Sequence, residues 1–178
     1  RDPWIMSRPA DGTGKAEFIA NGMFPNVSRD GKWLLFAEIV PNQGGDLFYM
    51  PLEGDHKVLP LLEAPGNQWK PILSPDGGYV AYESNESGRA EIYLRPFPSG
   101  EGKWQVSSKG GETPRWNRAG DRLYYVQDDA LMEVDVTLRP AVQLGAPRVL
   151  FTSAASHRED WPAGSMRAAP CPLPSPCR

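Results

Sequence analysis

The chain has 178 residues, 40% of them hydrophobic and 23% charged, with a formal net charge of −3. That is enough for one domain with a core of its own, and the balance is that of a globular protein. The charge argues against the basic footprint of a nucleic-acid binder. No apolar run approaches the roughly 20 residues of a membrane-spanning helix, so neither nucleic acid nor membrane is expected as a partner.

In chain order, D-P-W-I-M-S-R (2–8) and A-E-F-I-A (16–20) read as two short strands. The opening Arg1-Asp2-Pro3-Trp4 looks like the middle of an element, which suggests a processed product or a piece cut from something longer. Next comes F-P-N-V-S-R-D-G-K-W-L-L-F-A-E (24–38). It recurs without gaps as K-P-I-L-S-P-D-G-G-Y-V-A-Y-E-S (70–84) and T-P-R-W-N-R-A-G-D-R-L-Y-Y-V-Q (113–127). Pro25, Pro71 and Pro114 align, as do Ser28, Ser74 and Asn117, then Gly31, Gly77 and Gly120, then Phe36, Tyr82 and Tyr125. Trp33 matches Tyr79, with Arg122 the exception. The aligned prolines are 46 and 43 positions apart, the period of repeat units built from four strands.

The repeat has a physical logic. A short strand after the proline runs into Ser-x-Asp-Gly, a turn in which Ser and Asp bond nearby amides and Gly takes positive φ. A run rich in Val, Leu, Trp and Tyr follows, as a buried strand should. A third strand reads D-L-F-Y-M-P-L (46–52), E-I-Y-L-R-P-F (91–97) and A-L-M-E-V-D-V (130–136), with residues 2–8 a further copy. A fourth reads V-L-P-L-L (58–62), W-Q-V-S (104–107) and R-V-L-F-T (148–152), with 16–20 a further copy. Pro60 marks its strand as an edge. With no sustained 3.6-residue period, almost no helix is expected.

The organisation expected is therefore two strands of an incomplete unit (1–22), three whole units (23–66, 67–110 and 111–153) and a Pro-rich tail (154–178). In that tail 157–165 echoes an inner strand at half-strength, Trp161 and Ser165 matching Trp69 and Ser74. Residues 168–178 place Cys171 and Cys177 among four prolines, a stretch that buries little. The two thiols lack the second ligand pair of a structural zinc site.

The phrases S-R-D-G-K-W-L-L-F-A, S-P-D-G-G-Y-V-A-Y and G-R-A-E-I-Y-L-R-P-F-P resemble the WD-like repeats of the TolB-like β-propeller family. They look closest to repeats in the C-terminal sensor regions of bacterial membrane-anchored serine/threonine kinases. The resemblance spans residues 2–152 and implies an all-β fold, an incomplete propeller of about three and a half four-stranded antiparallel blades. It also implies a periplasmic or extracytoplasmic setting. Ala119-Gly120 replaces Asp-Gly in the third copy. An open arc leaves sheet edges and an apolar blade face uncovered. A homodimer that closes the arc into a ring of roughly six to eight blades is the expected remedy.

Propellers gather the loops between second and third strands, and between successive blades, at one mouth of the channel. Carboxylates there suit a hard divalent cation, calcium or zinc, with Glu38, Asp46, Glu83, Glu91 and His157 as candidate ligands. His157, Glu83 and Glu91 are the candidate catalytic groups, and Trp69, Trp161 and Arg89 the candidate pocket. Set against this, acidic Gly-rich loops are what any solvated hairpin looks like. Asp30 and Asp76 read as turn residues, His56 as a surface histidine, and Arg95 and Arg115 as partners of neighbouring carboxylates. There is no G-x-S-x-G, no H-E-x-x-H and no dinucleotide fingerprint. Two functions are expected in that order: a binding or scaffold module for protein or peptide partners, and a metal-dependent hydrolase of phosphotriesters, lactones or esters.

Overall fold

The computed structural model describes residues 3–99 and 101–153. The tail from 154 onward lies outside them, and with it His157, Trp161 and both cysteines. The described residues hold fifteen strands and no helix. β1 (Trp4–Ser7) and β2 (Glu17–Asn21) form a two-stranded antiparallel pair. The first full sheet is β3 (Met23–Val27), β4 (Trp33–Val40), β5 (Gly44–Pro51) and β6 (Leu59–Leu62), in that spatial order. The second is β7 (Gln68–Leu73), β8 (Tyr79–Ser84), β9 (Glu91–Pro96) and β10 (Trp104–Gln105). The third is β11 (Glu112–Trp116), β12 (Arg122–Gln127), β13 (Ala130–Thr137) and β15 (Arg148–Thr152), with β14 (Gln143–Leu144) on the far end of β13. Every pairing is antiparallel.

The turn chemistry fixes each hairpin. Ser28 Oγ donates to Asp30 Oδ1 at 2.6 Å and accepts from Trp33 N at 2.9 Å, and Gly31 takes φ 74°. Ser74, Asp76, Tyr79 and Gly77 repeat the arrangement. In the third sheet Asn117 takes over. Its Oδ1 accepts from Gly120 N at 2.8 Å and Arg122 N at 3.2 Å, and its Nδ2 donates to Asp121 at 2.6 Å. An amide carbonyl thus replaces both the hydroxyl and the missing Asp.

Alternation along the strands sends successive side chains to opposite faces, so the first and second sheets are buried on both and the third on its inner face. Leu34, Phe36 and Met50 face the two-stranded pair, where Ile5 and Ala20 meet them. Leu35, Ala37 and Leu47 face the second sheet, meeting Val80, Tyr82 and Tyr93. Ala81, Ile92 and Leu94 meet Leu123, Tyr125 and Val134 of the third. Trp33 fills the wedge after the first sheet, 5.8 Å from the Phe97 ring, and Tyr79 the wedge after the second, 6.2 Å from Trp104. Arg122, at the same repeat position, stands on the outward face of the third sheet. It joins Glu133 (3.4 Å), Asp135 (3.6 Å) and Arg148 in an ion-pair network that ties β15 to β13. That face is therefore half ionic rather than uniformly apolar.

One expected strand is shorter than its pattern. The run 104–107 pairs only through Gln105, because Val106 N and Ser107 N both turn to Ile92 O while Ser107 Oγ takes Ile92 N at 2.8 Å. A side chain replaces the ladder there.

Candidate functional site

The innermost strands β3, β7 and β11 carry one device three times. Phe24 (φ 54°), Lys70 (φ 51°) and Thr113 (φ 55°) each precede the repeated proline and each adopt the left-handed conformation. The register slips at the same place in all three strands, between Met23 and Asn26, Trp69 and Ile72, and Glu112 and Arg115. None of these residues is Gly or Asn, so each conformation costs on the order of 1–2 kcal/mol. Bulges of this kind re-aim a side chain. Here they turn three side chains to one place. Lys70 Nζ lies 3.1 Å from Thr113 Oγ1 and 5.8 Å from the centre of the Phe24 ring. With Pro25, Pro71 and Arg115 they line a cleft of about 440 Å3. Neighbouring inner strands are joined lower down, where Leu73 N donates to Asn26 Oδ1 at 3.1 Å.

Lys70 is held by acids above the cleft. Its Nζ is 2.9 Å from Glu83 Oε2 and 3.9 Å from Glu112, and Thr113 N also donates to Glu83 at 3.3 Å. Glu83, Trp69 and Arg89, all expected site residues, line a second cleft of about 250 Å3 with Asn67, Asn85 and Gly88. Trp69 packs edge-on to Phe24 at 6.1 Å, linking the two. Glu91 is buried and fully engaged. It accepts from Arg89 Nε at 2.7 Å, from Gly110 N at 3.0 Å and from Ser107 Oγ.

Glu38 and Asp46 are elsewhere, paired across β4 and β5 on the face toward the two-stranded pair. Asp46 is fully buried, and its Oδ2 has no hydrogen-bond partner. Among the described residues no three His, Cys, Asp or Glu side chains come together as a metal-holding group. His56 is exposed in its turn, with Nε2 3.2 Å from Leu52 O. The expected ion pairs of Arg95 and Arg115 are absent among the described residues: Arg115 donates to Pro114 O, and Arg95 Nε is buried without a partner. Burial, with Glu86 nearby, pushes the Tyr82 hydroxyl well above the ordinary tyrosine range, so it stays neutral.

The sequence reading missed Phe24, Thr113 and Lys70. The signal was the residue ahead of each repeated proline, but Phe, Lys and Thr do not advertise positive φ as Gly or Asn do.

No family model matches the chain, and no curated protein matches its sequence. Solved structures do match. TolB from Acinetobacter baumannii superposes with a TM-score of 0.63 at 20% identity, over 80% of this chain and 36% of TolB. The β-propeller domain of the Trilobed protease from Pyrococcus furiosus gives 0.51 at 15%, over 78% of this chain and 46% of that one. This is the β-propeller fold. The periplasmic gluconolactonase PpgL of Pseudomonas aeruginosa is also similar, at 0.52 and 15%, over 79% of this chain and 47% of its own. The propeller seen here thus spans about a third to a half of the length of these neighbours. Its full sheets are blades, and β3, β7 and β11 are their inner strands.

Proposed function

We propose that the chain is a propeller binding module that takes a protein or peptide partner at the cleft between its inner strands. The observation that carries this is the threefold repetition of a strained, left-handed residue ahead of proline, which gathers Phe24, Lys70 and Thr113 on one opening. An aromatic ring and the exposed Pro25 offer apolar contact, and Arg115 offers donors free of any acid partner among the described residues. Aromatic and arginine anchors of this kind dominate protein recognition. Glu83 and Glu91 are bound by Lys70, Arg89 and Ser107, which favours binding over the hydrolase reading. Selection of peptides from a displayed library on the immobilised chain tests it. Selected peptides should lose affinity at least tenfold on Phe24→Ala, and peptides indifferent to Phe24→Ala and Arg115→Gln refute the site.

The same reading includes closure of the arc by a second copy. It is supported by apolar side chains on both terminal faces, Trp4 (68% exposed) and Phe18 (55%) on one and Phe151 (61%) and Val126 on the other. An extracytoplasmic setting, as for the periplasmic gluconolactonase, belongs to the proposal too.

A further inference from the structure

The turns at the other end of the inner strands carry an arrangement that the proposed partner site does not use. Arg29 and Arg118 hold equivalent positions in the first and third repeats, Ser28-Arg29-Asp30 and Asn117-Arg118-Ala119. Arg29 Nη1 donates to Arg118 O at 3.0 Å, so the two turns meet. Both residues are exposed, and both line an open cleft of about 530 Å3 with Asn26, Pro75 and Asn117. At the position of the two arginines the second repeat has Pro75, which brings no charge.

Neither guanidinium has an acidic partner among the described residues. The turn carboxylates nearby are engaged. Asp30 accepts from Ser28 Oγ at 2.6 Å and Lys32 N at 3.2 Å, and its other oxygen is 3.8 Å from Lys32 Nζ. Asp76 accepts from Ser74 Oγ at 2.6 Å and Gly78 N at 3.1 Å, and its other oxygen is 3.6 Å from Arg139. The third turn has Ala119 where the others have Asp, so the acid that would follow Arg118 is missing. Asp121 is taken by Asn117. Two like charges brought into one cleft without an acid repel each other, and a bound anion relieves that.

We infer that this cleft is an anion site, where a phosphate or carboxylate group sits between the guanidiniums of Arg29 and Arg118. Planar forks of donors match the oxygens of either group in a bidentate manner, and Asn117 and Pro75 bring no competing charge. The site lies at the end of the inner strands away from Glu83 and Glu112.

Titration calorimetry at low ionic strength tests this with inorganic phosphate and, separately, acetate. Saturable binding of phosphate alone assigns the site to phosphate groups, and binding of both assigns it to oxyanions in general. Arg29→Gln and Arg118→Gln should each weaken binding roughly tenfold. Ala119→Asp, which supplies the missing turn acid and removes no arginine, should weaken it by a similar factor. Arg8→Gln, an exposed arginine in the two-stranded pair's connection, should leave it unchanged, and all variants should keep the parent far-ultraviolet spectrum. No saturation by either anion, or affinity that survives both the double arginine variant and Ala119→Asp, overturns the site. Phe24→Ala leaves this binding intact, so the two sites stand or fall separately.

Discussion

Lys70 and Glu83 lie on adjacent strands of the second blade with Nζ 2.9 Å from Oε2, and the carboxylate is nine-tenths buried. The pair does two jobs. It satisfies an acid in the interior, and it fixes the ammonium of a residue whose backbone is already strained. Lys70→Met leaves that acid without its cation. Breaking such a pair destabilises by about 2–3 kcal/mol, below the range of a fully buried pair because Lys70 is partly exposed. Chemical denaturation should show this loss, and the double variant Lys70→Met with Glu83→Gln should recover about half of it.

The close approach of Gly45 to Trp69 gives a second prediction. A Cβ at Gly45 would stand 2.2 Å from the indole ring. Trp69 cannot simply swing away, since Phe24 packs against it at 6.1 Å. Gly45→Ala should therefore destabilise by about 1–3 kcal/mol through overpacking. Adding Trp69→Leu should restore part of the loss in thermal melts.

Ser74 carries the turn of the second blade. Its hydroxyl donates to Asp76 and accepts from Tyr79 N at 3.0 Å, and the residue is buried. Ser74→Ala leaves the partly buried Tyr79 amide without its acceptor and should cost about 1–2 kcal/mol in urea unfolding. Ser74→Asn should cost less, because Asn117 already fills that role in the third blade.

That contrast bears on what the sequence could tell. Ser-x-Asp-Gly, the positive φ of Gly31, Gly77 and Gly120, and Pro60 on an edge strand were all legible, because each follows from one residue's local chemistry. The Phe24–Lys70–Thr113 cluster was not, because its cause is a bulge in the pairing of each inner strand with the next strand of its own blade. The ladder break at Ser107 escaped for a similar reason: Glu91 and Ile92, sixteen and fifteen positions away, recruit its hydroxyl. The short strand β14 has only two residues and no pattern to read. Of the expected pocket, Trp69 and Arg89 share a cleft with Glu83, while Glu38 and Asp46, expected as metal ligands beside Glu83, sit on another face.

The ion pairs at the end of the third blade predict an acid dependence. Hydrogen bonds from Arg148, aided by its charge and that of Arg122, hold Asp135 below the ordinary aspartate range. Glu133 is also lowered: burial opposes this, but hydrogen bonds from Tyr124 and Arg148 and the two arginine charges outweigh it. A carboxyl depressed in the folded state contributes stability that is present above its unfolded value and is lost as pH falls through the folded one. The contribution should therefore hold above about pH 4–5 and disappear below it. Protection of the β15 amides, taken relative to their intrinsic exchange rates, should fall on acidification in the parent, and Arg148→Ala should show the lower protection already at neutral pH.

The central claim is that partners meet the left-handed cleft of the inner strands. The most direct measurement is amide chemical-shift mapping of a selected peptide on the isotope-labelled chain. The account predicts the largest shifts at Phe24, Lys70, Thr113 and Arg115, with little change at Trp4, Phe18 or Phe151. Shifts centred on the terminal faces, with the cleft residues silent, would contradict it.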